Sequence, residues 1–229
     1  MTIGRSGDQA LTPIAEPRVI TADMLEPEDL RVEFEKGMSV WPKATLWLIA
    51  LYVVAFIWQV ASGALESQDA IMAAGALRGD EVMRGEVWRL VSATFLHGGV
   101  EHIAGNAVML YIVGMGLEHA LGTRQMLWVY GAAGLGGSLL SALLNSGPSV
   151  GASGAIFGVM AGLVATLHRH RRRIQVRDHR VAAVLGIWAL WQLFNGFFTP
   201  YIDNWAHLGG AVAGFLVAWK MEPAILENA

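Results

Sequence analysis

The chain has 229 residues, of which 54% are hydrophobic and only 15% charged, and its formal net charge is −3. Soluble domains carry about 25% charged residues, so this composition argues against an ordinary soluble protein and favours a membrane protein. The chain contains no cysteine, which excludes disulfides, thiolate metal sites and cysteine nucleophiles.

The beginning of the chain differs in character from the rest. Residues 1–40 are polar and mixed in charge, and no apolar run follows a basic start, a pattern that is atypical of a cleavable signal peptide. We therefore interpret residues 1–40 as a cytosolic N-terminal tail, residues 41–221 as a membrane domain and residues 222–229 as a C-terminal tail.

A membrane-spanning helix needs about 17 to 25 mostly apolar residues, and six segments meet or approach this length. They are predicted at about Ala44 to Ala61, His102 to Leu117, Met126 to Leu144, Val150 to Leu167, Val181 to Phe198 and Asn204 to Trp219. The connection between the first two, Ser62 to Glu101, contains apolar stretches too short to span, which favours short interfacial helices. The sequence thus predicts an all-α, multi-pass membrane protein with six transmembrane helices and a long, partly helical first loop.

The basic residues predict the orientation, because Lys and Arg accumulate in cytoplasmic loops. With the N-terminus inside, all but three of the 16 Lys and Arg residues fall on the cytoplasmic side, the exceptions being Arg78, Arg84 and Arg89. The densest run, RHRRRIQVRDHR, connects the fourth and fifth spans, and we interpret it as an anchor to the membrane surface and not as a nucleic-acid patch. Both termini are therefore expected in the cytoplasm.

Four polar side chains are predicted at a similar depth in the membrane, where such groups are costly and usually face a cavity. In this topology the second, fourth and sixth spans all run from outside to inside, which places His102, Asn106, Ser153 and His207 near their outer ends. His102 and Asn106 are four residues apart and project from one helix face. A hydroxyl, two imidazoles and an amide thus converge from three helices.

Glycine spacing gives a reason for these helices to approach each other. Gly154 and Gly158 form a small-xxx-small pattern, which lets two helix backbones pack closely in lipid. Gly210 and Gly214 form a matching stripe on the sixth span. If the two stripes face each other, Ser153 and the histidine of the sixth span come within hydrogen-bond reach.

Each of these residues also has a purely structural interpretation. A serine in a glycine-rich span is usually a packing residue, a single histidine at a helix end is more often an interfacial cap, and Asn106 is able to bond a neighbouring helix. The remaining histidines are interpreted as loop or interface residues, and they are His97, His119, His168, His170 and His179. The catalytic interpretation rests on the conjunction of the four groups.

Three motifs resemble the signatures of rhomboid intramembrane serine proteases. HIAGN, GASGAIFG and AHLGGAVAG are similar to HxxxN on the second helix, GxSG on the fourth and AHxxGxxxG on the sixth. The matching residues are His102, Asn106, Gly151, Ser153, Gly154, Ala206, His207, Gly210 and Gly214. Trp88 with Arg89, and Glu118 with Gly122, resemble weaker family elements in the first loop and at a helix cap. The resemblance covers about Thr45 to Trp219 and implies a six-helix rhomboid-like bundle.

The resemblance implies an intramembrane serine endopeptidase with a Ser-His dyad, in which Ser153 is the nucleophile and His207 the base. The oxyanion would be bound by the amide of Ser153 and the side chains of His102 and Asn106. Residues expected to line or pack the substrate cleft are Gly151, Gly154, Phe157, Gly210 and Gly214. Phe157 departs from the family pattern, because many rhomboids have Tyr there, and any orienting role of that hydroxyl is lost.

The implied partners are the lipid bilayer and transmembrane proteins, typically single-pass, cut near the outer end of their membrane segment. Neither a cofactor, a metal nor nucleic acid is expected, and a bacterial inner membrane fits the sequence. Two alternatives remain: a non-catalytic rhomboid-like binding or chaperone protein, and a small transporter or metal-handling protein that uses His97, His102 and His207.

Overall fold

The computed structural model describes residues 31–199 and 202–227. The chain divides into two compact units, Met1–Arg31 and Val32–Ala229, and all elements described here belong to the second. Most of the predicted N-terminal tail therefore lies outside the described residues, and the division of the chain into tail and membrane domain stays a prediction.

The described part of the chain is mostly helical. Its helices are α1 (Lys43–Ala61), α2 (Gln68–Ala73), α3 (Gly79–Met83), α4 (Arg89–Ser92), α5 (Val100–Leu121), α6 (Thr123–Leu144), α7 (Ser153–Arg169), α8 (His179–Asn195) and α9 (Asn204–Trp219). Two short strands, β1 (Val32–Glu33) and β2 (Ile174–Gln175), pair in parallel, and a 3-10 turn covers Ala224–Leu226.

All six predicted segments are helices, and the first loop contains three short helices, α2 to α4, as expected. By length and composition, α1, α5 and α6 are able to cross a membrane. Helices α7, α8 and α9 have 17, 17 and 16 residues, so the count of six spans stays a prediction. The fourth segment begins at Ser153 and not at Val150 as predicted, because Gly151 has a φ of +119°, outside helical geometry.

Helices α7 and α9 pack backbone against backbone along their glycines. A Cβ added to Gly210 would overlap the carbonyl oxygen of Gly154, and one added to Gly214 would overlap that of Gly158. The predicted facing of the two glycine stripes is therefore confirmed. Such close approach lets many atoms make dispersion contacts, which is the main attraction between helices in lipid.

Helix α6 packs against the other side of α9 by the same means. A Cβ added to Gly137 would lie 2.7 Å from the carbonyl oxygen of Ala206, and one added to Gly136 would lie 3.0 Å from that of Gly209. Helix α9 is thus enclosed between α6 and α7. Ser153 of α7 and His207 of α9, the predicted nucleophile and base, belong to this three-helix core.

Glu118 near the end of α5 fixes the start of α1. Its carboxylate accepts hydrogen bonds from the backbone amides of Ala44 at 2.9 Å and Thr45 at 3.0 Å, and from the hydroxyl of Thr45 at 3.0 Å. The hydroxyl of Thr123 donates to the same carboxylate at 2.8 Å. A buried negative charge thereby caps the positive end of α1 and joins it to the α5–α6 turn.

Arg89 organises the first loop. Its guanidinium donates to the carbonyl oxygens of Met72 at 2.6 Å and Ala76 at 2.8 Å, and it pairs with Glu86 at 2.6 Å. The side chain is buried, with its guanidinium carbon 4.7 Å from the centre of the Trp88 ring. One arginine thus binds two carbonyl groups at and just after the end of α2 and joins this segment to α4.

Helix α8 differs from its neighbours, since none of the 17 residues that the structure describes in it is buried. Its first turn is capped by Asp178, whose carboxylate accepts a hydrogen bond from the backbone amide of Arg180 at 2.9 Å. Hydrogen bonds from the Arg180 guanidinium lower the pKa of the Asp178 carboxyl. Glu35, next to β1, accepts from the amides of Arg177 at 3.0 Å and Asp178 at 3.2 Å, so the segment before α8 is held by β1 and its flank.

Candidate active site

Ser153 is the first residue of α7 and follows a segment fixed to the first loop. The amide of Gly151 donates to the carbonyl oxygen of Ala93 at 2.9 Å, and Leu77 and Ser149 exchange two backbone hydrogen bonds of 2.9 and 2.8 Å. The first amides of a helix lack intrahelical acceptors and lie at its positive end. Ser153 is therefore held where its own N–H is available to an incoming oxygen.

The hydroxyl oxygen of Ser153 lies 2.9 Å from Nε2 of His207, a hydrogen-bonding distance. His207 is in the first turn of α9, where its backbone amide donates to the carbonyl oxygen of Asp203 at 3.2 Å. The imidazole is 2% exposed. A hydroxyl and an imidazole separated by 53 residues of chain thus meet because glycines bring α7 and α9 together.

Phe157, one turn after Ser153, stacks on the imidazole of His207. The ring centres are 4.2 Å apart and the planes differ by 10°, and Phe157 also contacts Trp188 of α8 with ring centres 5.6 Å apart. Nδ1 of His207 has no hydrogen-bond partner among the described residues. Within that part of the chain, the stack on Phe157 and the contact of Nε2 with Ser153 orient the imidazole.

His102 and Asn106 on α5 approach the same place. A Cβ built on Gly151 would lie 2.7 Å from Nε2 of His102 and 3.5 Å from Nδ2 of Asn106. Only a glycine fits there, both for this reason and because its φ is +119°. The two polar side chains that the sequence predicts at this depth therefore lie together beside the loop that leads to Ser153.

The hydrogen bonds of His102 identify its donor atom. The backbone amide of Gly98 donates to Nδ1 of His102 at 3.3 Å, so in the neutral ring the proton is on Nε2, which faces Gly151. Nδ2 of Asn106 is buried and has no hydrogen-bond acceptor in the described ranges. The side-chain N–H groups of His102 and Asn106 thus lie beside the same residue, Gly151. That of Asn106 has no acceptor in the described chain.

The glycines of the predicted site divide into two groups. Gly151 lies beside His102 and Asn106, whereas Gly154, Gly210 and Gly214 lie in the contact between α7 and α9. We expected Gly154 to leave room for a substrate, but a Cβ there would lie 2.9 Å from the carbonyl oxygen of Ala206. The missing side chain of Gly154 therefore accommodates α9.

A small cavity of about 10 Å³, enough for about one water molecule, is lined by Gly154 and Ala206, the chain neighbours of Ser153 and His207, but not by Ser153 or His207 themselves. Its polar lining is formed by Thr94, Ser138 and Ser149, together with the backbone around Gly151 and Gly154. Among the described residues, no three His, Asp or Glu side chains are grouped to hold a metal ion.

Sequence reasoning did not single out Asp203, Ser141 and Asn145, which form a hydrogen-bonded group where the C-terminal end of α6 meets the N-terminal end of α9. Asp203 accepts hydrogen bonds from the Ser141 hydroxyl and, at 3.1 Å, from the Asn145 side chain. An aspartate immediately before an apolar helical run is a recognised N-cap signal, and Asp203 stands in that position before the sixth predicted span. Its contacts with α6 involve residues about 60 positions away, which no local pattern reveals.

Similarity to known proteins agrees with this arrangement. Residues 84–223 match the family model described as Rhomboid domain. The Rhomboid protease GluP of Bacillus subtilis (strain 168) is 30% identical over 206 residues, which is 90% of this chain and 40% of that protein. RHOMBOID-like protein 1 of Arabidopsis thaliana is 38% identical over 139 residues, or 60% of this chain and 35% of that protein. Rhomboid-like protease 3 of Toxoplasma gondii is 30% identical over 188 residues, or 78% of this chain and 68% of that protein.

This chain spans less than half the length of the first two of these relatives. The family match nevertheless covers more than half of the chain and includes α5, α7 and α9, which carry the predicted site residues. The chain is an integral membrane protein of the rhomboid family, in which matched relatives are named as proteases.

Proposed function

We propose that this protein is an intramembrane serine endopeptidase that cleaves transmembrane proteins near the outer end of their membrane segment. The observation that carries the proposal is the 2.9 Å contact between the Ser153 hydroxyl and Nε2 of His207 inside the helical core of a rhomboid chain. A serine hydroxyl is a weak nucleophile until a neighbouring base removes its proton, and the imidazole is placed to do so.

In the proposed reaction, the Ser153 oxygen attacks the scissile carbonyl carbon while its proton passes to Nε2 of His207. The tetrahedral intermediate collapses when the imidazolium returns this proton to the leaving amine, which breaks the C–N bond. Water then attacks the acyl-enzyme with His207 again as base, releasing the carboxylic acid and restoring Ser153.

The negative oxygen of the intermediate requires fixed donors, and each such donor contributes roughly 3 to 4 kcal/mol to transition-state stabilisation. We assign this role to the amide of Ser153, Nε2–H of His102 and Nδ2–H of Asn106. The proximity of both side chains to Gly151, and the unpaired amide of Asn106 within the described residues, support the assignment. Phe157 would hold the imidazole flat, which leaves its Nε2 directed at the hydroxyl.

The proposal includes six spans with both termini in the cytoplasm, in a bacterial inner membrane. Residues 1–40 and 222–229 would be cytosolic tails on either side of the membrane domain. The concentration of Lys and Arg on one side of the predicted topology supports this orientation. We further propose that α8 is a movable wall, meaning a helix that shifts to let a substrate helix enter the site. None of the residues described in α8 is buried, which supports this role.

The test is cleavage of a single-span reporter protein in liposomes by the unmodified chain, Ser153→Ala and His207→Ala, each with and without a metal chelator. We expect cleavage by the unmodified chain only, unaffected by the chelator. Cleavage that survives Ser153→Ala would contradict the mechanism, and loss on chelation would favour a metal-dependent activity. If none of the folded proteins cleaves or reacts with a serine-directed probe, the non-catalytic binding protein becomes the better interpretation.

A further inference from the structure

We propose that Asp203 is a positioning residue that fixes the Ser153–His207 pair by joining the outer ends of α6 and α9. This inference rests on the proposed function. The role differs from that of the carboxylate in a Ser-His-Asp triad, because the described hydrogen bonds of the Asp203 side chain go to Ala206, Ser141 and Asn145 and not to the imidazole.

Asp203 first orders the turn of helix that carries the base. One carboxylate oxygen accepts from the amide of Ala206 at 3.0 Å, which caps α9, and the backbone carbonyl accepts from the amide of His207 at 3.2 Å. An aspartate in this place also places negative charge at the positive end of the helix. The position and direction of His207 therefore depend on the residue one turn before it.

The other carboxylate oxygen connects this turn to α6. It accepts from the Ser141 hydroxyl and, at 3.1 Å, from the side-chain amide of Asn145. Ser141 is 1% exposed and belongs to the last turn of α6. The contact is therefore partly shielded from solvent, and a charge-assisted hydrogen bond is stronger there than at a fully exposed surface.

Asn145 extends the connection towards the nucleophile. It ends α6, and its side-chain oxygen accepts from the amide of Gly147 at 3.3 Å, at the start of the loop that leads to Ser153. One carboxylate thus binds the helix that carries the base, the end of α6 and, through Asn145, the loop that carries the nucleophile.

The glycine contacts explain why such a connection is needed. Gly154 and Gly210 let α7 and α9 approach closely, but a glycine surface has no side chain that interlocks and resists axial sliding. At the cytosolic ends, Arg169 of α7 donates to the carbonyl oxygens of Trp219 and, at 3.2 Å, Met221. Asp203 supplies the corresponding restraint at the outer end, next to the reacting groups. A displacement of 1 Å there lowers a rate by about 100-fold.

The experiment compares Asp203→Ala, Asp203→Asn and Asn145→Ala with the unmodified full-length protein in detergent. The first measurement is the rate at which a small fluorophosphonate labels Ser153. This rate reports how well His207 activates the Ser153 hydroxyl, without the need for a substrate helix to enter. The others are kcat and KM for a reporter protein, and the unfolding midpoint. Asp178→Ala is the matched control, since Asp178 caps α8 through the amide of Arg180 at 2.9 Å but does not hold the pair.

We expect Asp203→Ala to lower the labelling rate and kcat together by about 10- to 100-fold, with KM changed less than about threefold. Asp203→Asn retains an acceptor for the Ala206 amide but replaces the oxygen that faces α6 by an NH2 group, so it should recover only part of the rate, while Asn145→Ala should lose about threefold to tenfold. Asp178→Ala should label at the unmodified rate even if its unfolding midpoint falls.

Two results would overturn the positioning role while leaving the proposed function intact: a folded Asp203→Ala protein that labels as fast as the unmodified chain, or an equal loss in Asp178→Ala. An unmodified protein that neither cleaves nor labels, and behaves like Ser153→Ala, would instead overturn the proposed function and the positioning role with it.

Discussion

Helices α8 and α9 follow each other in the chain and have nearly the same length, 17 and 16 residues, yet they are packed in opposite ways. In α9, His207 and three glycines are buried against α6 and α7. In α8, as far as the structure describes it, every residue is at least partly exposed, and Trp191 and Phe194 are exposed by 59% and 55%. Helix α9 is buried along its glycine face, whereas α8 has no buried face among the residues that the structure describes.

The difference follows from residue size. Lipid tails are as apolar as Leu, so a bulky apolar side chain gains little by leaving lipid for protein, whereas small residues gain close backbone contact. Helix α9 has a stripe of glycines, while α8 has a single one, Gly186. The comparison teaches that glycines bring the helix of the predicted base into close backbone contact with its neighbours, whereas a Cβ on Gly186 of α8 meets no atom of the described chain within 4 Å.

The largest effect is expected from filling the glycine contact. Gly210→Val places a side chain on the carbonyl oxygen of Gly154, whereas Gly186→Val meets no atom of the described chain within 4 Å at its Cβ. We expect Gly210→Val to cost at least about 3 kcal/mol and to abolish most folded protein, because backbone cannot yield as a side chain does. Gly186→Val should change stability by less than about 1 kcal/mol. Thermal unfolding in detergent measures both, and equal losses would contradict the comparison.

A second enclosed contact lies at Glu118. Glu118→Ala removes the acceptor for the amides of Ala44 and Thr45 and for two hydroxyls, so we expect about 3 kcal/mol of destabilisation. Glu118→Gln keeps one acceptor oxygen and should lose about half as much. The free energy of unfolding of the two variants is the measurement. If Glu118→Ala has the same free energy of unfolding as the unmodified protein, the hydrogen bonds of Glu118 to the start of α1 do not stabilise the fold.

A smaller and opposite effect is expected from loosening α8. Trp188 contacts Phe157 with ring centres 5.6 Å apart, and an aromatic pair contributes about 0.5 to 1.5 kcal/mol. If α8 must move for a substrate helix to enter, Trp188→Ala should raise the cleavage rate of a membrane-embedded reporter by about twofold to tenfold. Labelling of Ser153 by a small probe should stay the same. A slower cleavage with unchanged labelling would contradict the movable-wall proposal.

The smallest effect is expected at the segment before α8. Glu35→Ala removes the acceptor for the amides of Arg177 and Asp178, both of which are in exposed surroundings. We expect less than about 1 kcal/mol of lost stability, but faster trypsin cleavage after the arginines at 171–173. Limited proteolysis and the unfolding midpoint provide the readouts, and Lys36→Ala serves as a neighbouring control. An unchanged proteolysis rate would show that Glu35 does not restrain this segment.

Parts of this arrangement could be predicted from the sequence because they depend on spacing along one helix. The four-residue spacing of His102 and Asn106, and the glycines that bring Ser153 to His207, are local patterns. By contrast, the contact of Asp203 with α6, the pairing of β1 with β2 and the absence of burial in α8 depend on which elements become neighbours. Hydropathy identifies all these helices as apolar but does not distinguish a helix packed against protein from one that faces lipid, since both surroundings are apolar.

The stack of Phe157 on His207 has a consequence for the charge that the reaction creates. In the proposed mechanism the imidazole becomes a cation for the lifetime of each intermediate, and the face of an aromatic ring 4.2 Å away attracts a cation through its quadrupole. A quadrupole binds no proton and so supports this charge equally in acid and in base. Replacement of Phe157 by progressively fluorinated phenylalanines would weaken the quadrupole without changing the shape of the ring. The reaction rate should then fall in a graded series, a dependence that a carboxylate-supported histidine does not have.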